Sequence, residues 1–267
     1  MNKIDILWNL QAHKDEVMPM FKDYQFVMIG LQGSQNYGLD INGVSDIDTK
    51  FVLAPTFKEI AMNRKPVSTT HVRSNEEHTD LKDIRLMLQT FKKQNMNFVE
   101  LLFTEYSLVN PLYQEQWSRL TREREIIARY SPYAAVKTMK GIAMEKYHAM
   151  EHPYPSKLEI LAKHGYDPKQ LHHLLRIEDF LGRYIAGEDY ESCLRPVDPE
   201  YLINVKRGVY ELDKAREVAA AAIKRVTDIA DTYTSTHEPT YNPIAGELID
   251  DVQYQIMKIA VEQELKQ

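Results

Sequence analysis

Short apolar runs alternate with charged, helix-like patterns over the first hundred residues of the chain. Apolar positions recur among charges over residues 3–22, which predicts an amphipathic helix. An apolar run at 26–33 ends in glycine and predicts a buried strand. A turn signal at 42–44 precedes a second predicted strand at 45–55, which Pro55 would end. The N-terminal part therefore combines strands with helices.

Weaker patterns extend this mixture to about residue 103. They predict a short helix at 57–64, strands near 69–73 and 78–82, and a helix over 84–103 that breaks near 94–97. The small predicted sheet thus lies entirely in the first 107 residues.

Helical patterns dominate from about residue 108 onward. Ser131 and Asp167 each precede a proline, the arrangement of an N-cap followed by Pro at the first helical position, and Gly187 would end the second of these helices. Further helices are predicted within 198–208, 211–233 and 246–267. We therefore predict an α+β fold, with a mixed-sheet domain at 1–107 and an all-helical domain at 108–267.

Composition narrows the class of protein. The chain has 267 residues, of which 43% are hydrophobic and 27% charged, as in soluble globular proteins. The single cysteine, Cys193, excludes an internal disulfide framework and favours a cytoplasmic location. No apolar run reaches the roughly 18 residues that span a bilayer, and the charged N-terminal sequence does not resemble a secretion signal, so no membrane partner is expected. The net charge of −6 argues against a tight grip on long nucleic acid.

Two aspartates one residue apart begin the second predicted strand. Side chains at i and i+2 of a strand share a face, so Asp46 and Asp48 are expected to project together. Carboxylates this close repel each other unless a cation lies between them. Mg²⁺ takes carboxylate oxygens and completes its shell with water and phosphates, and two such ions about 4 Å apart form the clamp used for in-line phosphoryl transfer. An acidic turn without a ligand is the alternative.

A Gly-Ser pair ends the first predicted strand. Gly33 permits a sharp turn and close approach of a phosphate, and Ser34 adds a hydroxyl donor at the start of a short predicted helix. The two motifs together indicate a turn that holds a triphosphate and aspartates that hold its metal ions.

Gly33 and Ser34, followed after eleven residues by Asp46-Ile47-Asp48, resemble the signature of the polymerase-beta nucleotidyltransferase superfamily. The wider stretch GSQNYGLDINGVSDID is similar to one branch, the predicted nucleotidyltransferases associated with RNA repair (RlaP-type). This branch has a later Lys-x-x-x-His-x-x-Arg helix, which Lys169, His173 and Arg176 match. It also has a proline where NMNFVELLF has Met96. The resemblance covers residues 30–210.

The resemblance implies Mg²⁺- or Mn²⁺-dependent transfer of a nucleoside monophosphate from a nucleoside triphosphate, with two metal ions. It implies a third carboxylate on a neighbouring strand, for which Asp80 is the candidate and Glu77 and Asp83 are competitors. Gly33 and Ser34 would bind phosphates, as would Lys169, His173 and Arg176, which share one helical face. The alternatives without a catalytic role are an N-cap or surface acid for Asp80 and a solvent-exposed helix face for the cationic residues.

Several acceptors and functions are compatible with this chemistry. An RNA end is the expected acceptor, and a protein hydroxyl or the synthesis of a nucleotide signal are the alternatives. A non-catalytic nucleotide- or partner-binding module is the alternative from another class.

Overall fold

The computed structural model describes residues 3–41 and 45–266, so the turn predicted at 42–44 lies outside the described residues. The strands are β1 Gln25–Gln32, β2 Asp48–Ala54, β3 Ser68–Val72, β4 His78–Asp83 and β5 Ser107–Val109. They form one sheet in the order β3-β4-β2-β1-β5. β2 and β4 are parallel, whereas the other neighbours are antiparallel. The prediction of an α+β fold with a mixed sheet is confirmed.

Helices make up most of the remaining chain. The α-helices are α1 Lys3–Val17, α2 Phe57–Ala61, α3 Ile84–Lys92, α4 Met96–Val99, α5 Gln114–Arg122, α6 Arg124–Ala128, α7 Pro132–Ala149, α8 Leu158–His164, α9 Pro168–Ile185, α10 Tyr190–Leu194, α11 Pro199–Lys206, α12 Leu212–Thr236 and α13 Pro243–Glu264. Short 3₁₀ helices occur at Met18–Phe21, Ser34–Tyr37, Glu100–Phe103, Pro111–Tyr113 and Pro155–Lys157. Among the described residues, no helix combines the length and apolarity needed to cross a membrane.

One face of the sheet is covered by α1. Ile6 and Leu10 of this helix are buried against Phe51 and Leu53 of β2 and Leu81 of β4. Each of these side chains contributes about 1.5–3 kcal/mol by leaving water. Alternate residues of β2 therefore supply the core, and the residues between them face the other side.

The opposite face of the sheet is covered by the helical segment that follows β4. A side chain at Gly30 of β1 would place its Cβ 2.6 Å from Cδ1 of Leu101, so glycine permits this close approach. α3 buries Met87, Leu88 and Phe91. This segment matches the helix predicted over 84–103, and the predicted break corresponds to Gln94, which has a positive φ of 55°.

Packing divides the chain into two compact units. The first contains the described residues of 1–36, 42–130 and 241–267, and the second contains residues 37–41 and 131–240. The division of domains predicted at residue 107 stays a prediction, and the packing units have other bounds. α13 belongs to the first unit, where it packs on α3 and α5.

Each unit ties together its own two chain ends near residues 130 and 240. In the first unit, Asn242 donates its backbone N–H to the carbonyl oxygen of Tyr130 at 2.7 Å, and the rings of Tyr130 and Tyr241 stack. In the second unit, the Ser131 hydroxyl donates to the carbonyl oxygen of Thr240 at 2.7 Å. In each unit, the chain ends near residues 130 and 240 are therefore held together by that unit's own contacts.

The second unit is helical. Its long helices α7, α9 and α12 pack on one another, with small side chains at Ala219 and Ala222 of α12 buried in the contact. The predicted caps are confirmed, since the Asp167 carboxylate accepts the Lys169 N–H at 2.9 Å and the Ser131 hydroxyl accepts the Ala134 N–H.

Candidate active site

The Gly-Ser turn and the strand starts meet at one edge of the sheet. Gln32, the last residue of β1, pairs with Asp48, the first residue of antiparallel β2. β4 is parallel to β2, so its start at His78 lies at the same edge. The strand order and register therefore bring Gly33 and Ser34 next to the start of β2, with Asp80 one strand away.

The turn after β1 has the backbone that the sequence predicts. Gly33 has a φ of +115°, a region that side chains other than glycine rarely adopt. A 3₁₀ helix begins at Ser34. Asn36 holds the turn, because its side-chain amide donates to the Leu31 carbonyl at 3.1 Å and its Oδ1 accepts the Thr104 hydroxyl at 2.7 Å.

The aspartate pair flanks a buried residue. Ile47 is 2% exposed and packs in the α1-face core, whereas Asp46 is exposed and Asp48 is partly exposed. β2 begins at Asp48, so Asp46 lies outside the strand and the prediction that the two aspartates share a strand face is wrong. Their role as cation ligands stays a prediction. Oδ1 of Asp48 accepts the backbone N–H of His78 at 2.9 Å.

Asp80 lies opposite a buried lysine. Lys50 pairs with Asp80 in the parallel ladder, and its Nζ donates to Oδ2 of Asp80 at 3.3 Å. The Lys50 side chain is only 3% exposed, and its Nζ lies 3.8 Å from the centroid of the Phe98 ring. Burial lowers the pKa of Lys50, while the charges of Asp80 and Glu100 oppose this shift. Asp80 thus shares the sheet face of Asp48, but its carboxylate is already in an ion pair.

The two competitors for the third carboxylate are engaged elsewhere. Glu77 contacts α1, where its Oε2 accepts from His13 Nε2 at 3.0 Å, and it also accepts from Arg73 Nη1 at 2.8 Å. Asp83 caps α3 and pairs with the guanidinium of Arg85 at 2.6 Å. Among the three acids, Asp80 is the one that pairs with Lys50 and therefore lies on the same sheet face as Asp48.

The donor set fits a hard cation at the aspartate pair. Carboxylate oxygens are the ligands that Mg²⁺ prefers, and Asp46 and Asp48 supply them at a solvent-accessible strand start. Over residues 3–41 and 45–266, no group of three or more acidic, imidazole or thiol side chains is arranged to hold a metal. A second cation would compete with Lys50 for Asp80, so the two metal ions stay a prediction.

A buried polar network behind the sheet was not predicted from the sequence. The hydroxyl of Thr49 donates to that of Thr79 at 3.1 Å, and Thr79 donates to Nδ1 of His13 at 2.9 Å. Nε2 of His13 then donates to Glu77, because a carboxylate only accepts. Burial lowers the pKa of His13, which favours the neutral form of the ring. The missed signal is that His13 falls in the apolar stripe of α1, between buried Leu10 and Val17.

The predicted cationic residues lie on α9 of the second unit. Lys169 is exposed, whereas His173 and Arg176 are partly buried. The guanidinium of Arg176 lies 4.2 Å from the centroid of the Tyr37 ring in the same unit. Burial, followed by the charges of His172, Arg176 and Lys169, lowers the pKa of His173 well below its usual range. Their role in nucleotide binding stays a prediction.

Comparisons with known proteins add little to this geometry. No protein-family model matches the chain, and a search of curated proteins finds no match either. A crystal structure of a nucleotidyltransferase-like protein from Exiguobacterium sibiricum is similar over 85% of this chain and 75% of that one, with a TM-score of 0.31 and 8% sequence identity. A likeness this weak assigns neither a fold family nor a reaction. The resemblance to the RNA-repair branch gains no support from it.

Proposed function

We propose that this protein is a Mg²⁺-dependent nucleotidyltransferase, which moves a nucleoside monophosphate from a triphosphate to an acceptor hydroxyl and releases pyrophosphate. The observation that carries the proposal is the strand register at the sheet edge. Gln32 opposite Asp48, and Lys50 opposite Asp80, bring the Gly-Ser turn, one aspartate of the pair and a third carboxylate to one place.

Each group has a role in the proposed reaction. Asp46 and Asp48 hold the cation, which when bound neutralises phosphate charge. Gly33 and Ser34 hold the β- and γ-phosphates through the backbone and the hydroxyl. The acceptor oxygen attacks the α-phosphorus, its proton passes to Asp80 or to solvent, and the bond to the pyrophosphate oxygen breaks. The assignment of Lys169, His173 and Arg176 to phosphate contacts rests on the sequence resemblance.

We propose an RNA end as the acceptor. The resemblance to RNA-repair nucleotidyltransferases favours it, and the net charge of −6 limits the contact to a short segment instead of a long backbone. Transfer to a protein hydroxyl and synthesis of a nucleotide signal use the same catalytic groups and differ only in the acceptor.

A second candidate is a binding module without catalysis. The ion pair between Lys50 and Asp80 favours it, because a carboxylate engaged by a buried ammonium is less available to a metal ion. Asp46 and Asp48 would then serve only to bind a nucleotide through its cation.

Label transfer separates these candidates. The protein is incubated with each α-labelled nucleoside triphosphate and Mg²⁺ or Mn²⁺, with and without a pool of small RNA, and an Asp46→Ala/Asp48→Ala variant serves as control. Label that enters RNA, protein or a small product, and that the variant fails to transfer, supports the proposal and names the acceptor class. Triphosphate binding without transfer under every condition supports the binding module.

A further inference from the structure

The peptide group between Asp46 and Ile47 is held by side chains on both of its polar atoms. The carbonyl oxygen of Asp46 accepts from Nε2 of Gln35 at 2.8 Å. The N–H of Ile47 donates to Oε1 of Glu77 at 3.3 Å in a buried contact. This peptide lies outside the sheet, since the strand begins only at Asp48. Side chains therefore replace the ladder that would otherwise fix its orientation.

Gln35 and Glu77, which together form a clamp on this peptide, are each held in place by another part of the fold. Gln35 belongs to the 3₁₀ helix that Ser34 begins, so one clamp links the Gly-Ser turn directly to the aspartate pair. Glu77 is held from behind by His13 at 3.0 Å and by Arg73 at 2.8 Å. Arg73 is in turn held by Glu16 at 2.9 Å. The clamp thus connects the aspartates to α1 and to β4.

We propose that Gln35 and Glu77 are positioning residues that preset Asp46 and Asp48 for a divalent cation by fixing the peptide between them. The inference rests on the proposed function. A free peptide would rotate and change the direction of the Asp46 side chain relative to Asp48, so the cation would have to order the pair as it binds. Ligands that are ordered in advance avoid this cost.

The two sides of the clamp respond differently to substitution. Gln35→Ala removes only the carbonyl contact, and the Gln35 side chain is partly exposed. Glu77→Gln keeps the shape but replaces one acceptor oxygen by an NH₂ group. His13, Arg73 and Ile47 all donate to the Glu77 carboxylate. In the variant, at least one of these N–H groups therefore faces the new NH₂ group, which cannot accept a hydrogen bond.

The test measures Mn²⁺ affinity of the full chain by electron paramagnetic resonance, together with amide hydrogen exchange across residues 45–49. We expect Gln35→Ala and Glu77→Gln to weaken Mn²⁺ binding by about tenfold or more and to accelerate exchange at Ile47. In label transfer, the half-saturating Mg²⁺ concentration should rise and excess Mg²⁺ should restore kcat, which a merely unstable variant would not show. Glu16→Gln is the matched control, because it perturbs Arg73 but does not touch Ile47.

The outcomes separate this inference from the proposed function. A wild-type chain that lacks a Mn²⁺ site dependent on Asp46 and Asp48 overturns both. Wild-type Mn²⁺ affinity in the folded variants overturns the inference alone, whether or not exchange is faster. So does a loss in Glu16→Gln that equals the loss in Glu77→Gln. If Glu77→Gln fails to fold, Gln35→Ala alone decides.

Discussion

The two faces of strands β2 and β4 bury polar side chains in different ways. On the α1 face, Thr49 and Thr79 bury their hydroxyls against a neutral His13, and each proton donor finds an acceptor. On the other face, Lys50 and Asp80 bury an ion pair at the start of the strands. The first face loses little by burial because Thr49, Thr79 and His13 are hydrogen-bonded to one another. The second face holds the buried ammonium of Lys50 against the partly exposed carboxylate of Asp80.

This difference shows how a small sheet can present charged side chains on one face while the other face is packed and hydrogen-bonded. Neighbouring residues of a strand face opposite sides, so the neutral network is only one residue away from the charged groups. Thr49 lies between Asp48 and Lys50, and Thr79 lies between His78 and Asp80. One face fixes the backbone, and the other presents charged side chains to a ligand.

The largest expected effect is on the charged face. Asp48→Asn retains an acceptor for the His78 N–H but removes a charge from the proposed cation site. We expect label transfer to fall about a thousandfold, which corresponds to the several kcal/mol that a metal ion supplies. Asp15→Asn on the exposed side of α1 is the control, and wild-type transfer by Asp48→Asn would exclude Asp48 from the site.

The next effect is on the neutral face. His13→Ala removes one hydrogen-bond partner from Thr79 and one from Glu77 and opens a cavity, so we expect the free energy of unfolding to fall by about 3 kcal/mol. Urea unfolding measures it. Gln11→Ala, which loses only a contact to Asp15, should change stability by less than about 0.5 kcal/mol. Equal losses in the two variants would mean that the network contributes nothing specific.

A smaller effect is expected from the lysine of the ion pair. Lys50→Met keeps an apolar contact with Phe98 and releases Asp80, so Mn²⁺ should bind about tenfold more tightly. Lys82→Met is the matched control, since Lys82 also lies over Phe98 but donates to Ser68. Weaker binding in Lys50→Met would show that the lysine helps the site instead of competing for it.

The smallest effect is a pH dependence on the neutral face. Because the ring is buried, the pKa of His13 lies below the ordinary histidine value of 6.5, so the unfolded chain binds the proton first. The contribution is complete above about pH 6.5 and is lost as the pH falls toward the folded pKa. Urea unfolding between pH 7 and 5 should show a steeper loss for the wild type than for His13→Gln. Parallel curves would mean that His13 titrates normally.

Local patterns were enough to predict the parts of this structure that depend on neighbours in sequence. Glycine at position 33 and proline at position 55 mark the ends of β1 and β2, and both strands form within three residues of the predicted bounds. β5 was missed, because the three residues Ser107–Val109 are too few to show an alternation. The return of α13 to the first unit was also missed, since a helix pattern gives an apolar stripe but not its partner.

The candidate site shows the same limit. The pattern around Asp46 and Asp48 predicts a cation site, and parity along β4 agrees with Asp80. The ion pair of Asp80 with Lys50 and the link of Glu77 to Ile47 join residues 30 positions apart. Contacts of this kind depend on the pairing of β2 with β4, which single residues do not specify.

The pinned junction at residues 130 and 240 has a consequence for engineering. The chain leaves the first unit at Tyr130 and returns at Tyr241, where a hydrogen bond and a ring stack already hold the two ends together. If residues 131–240 are removed, a short turn is therefore enough to join Tyr130 to Tyr241. A foreign domain with adjacent termini can be inserted at the same place. Residues 37–41 are the exception, because they belong to the second unit and would lose their packing against residues 131–240 in such a chimaera.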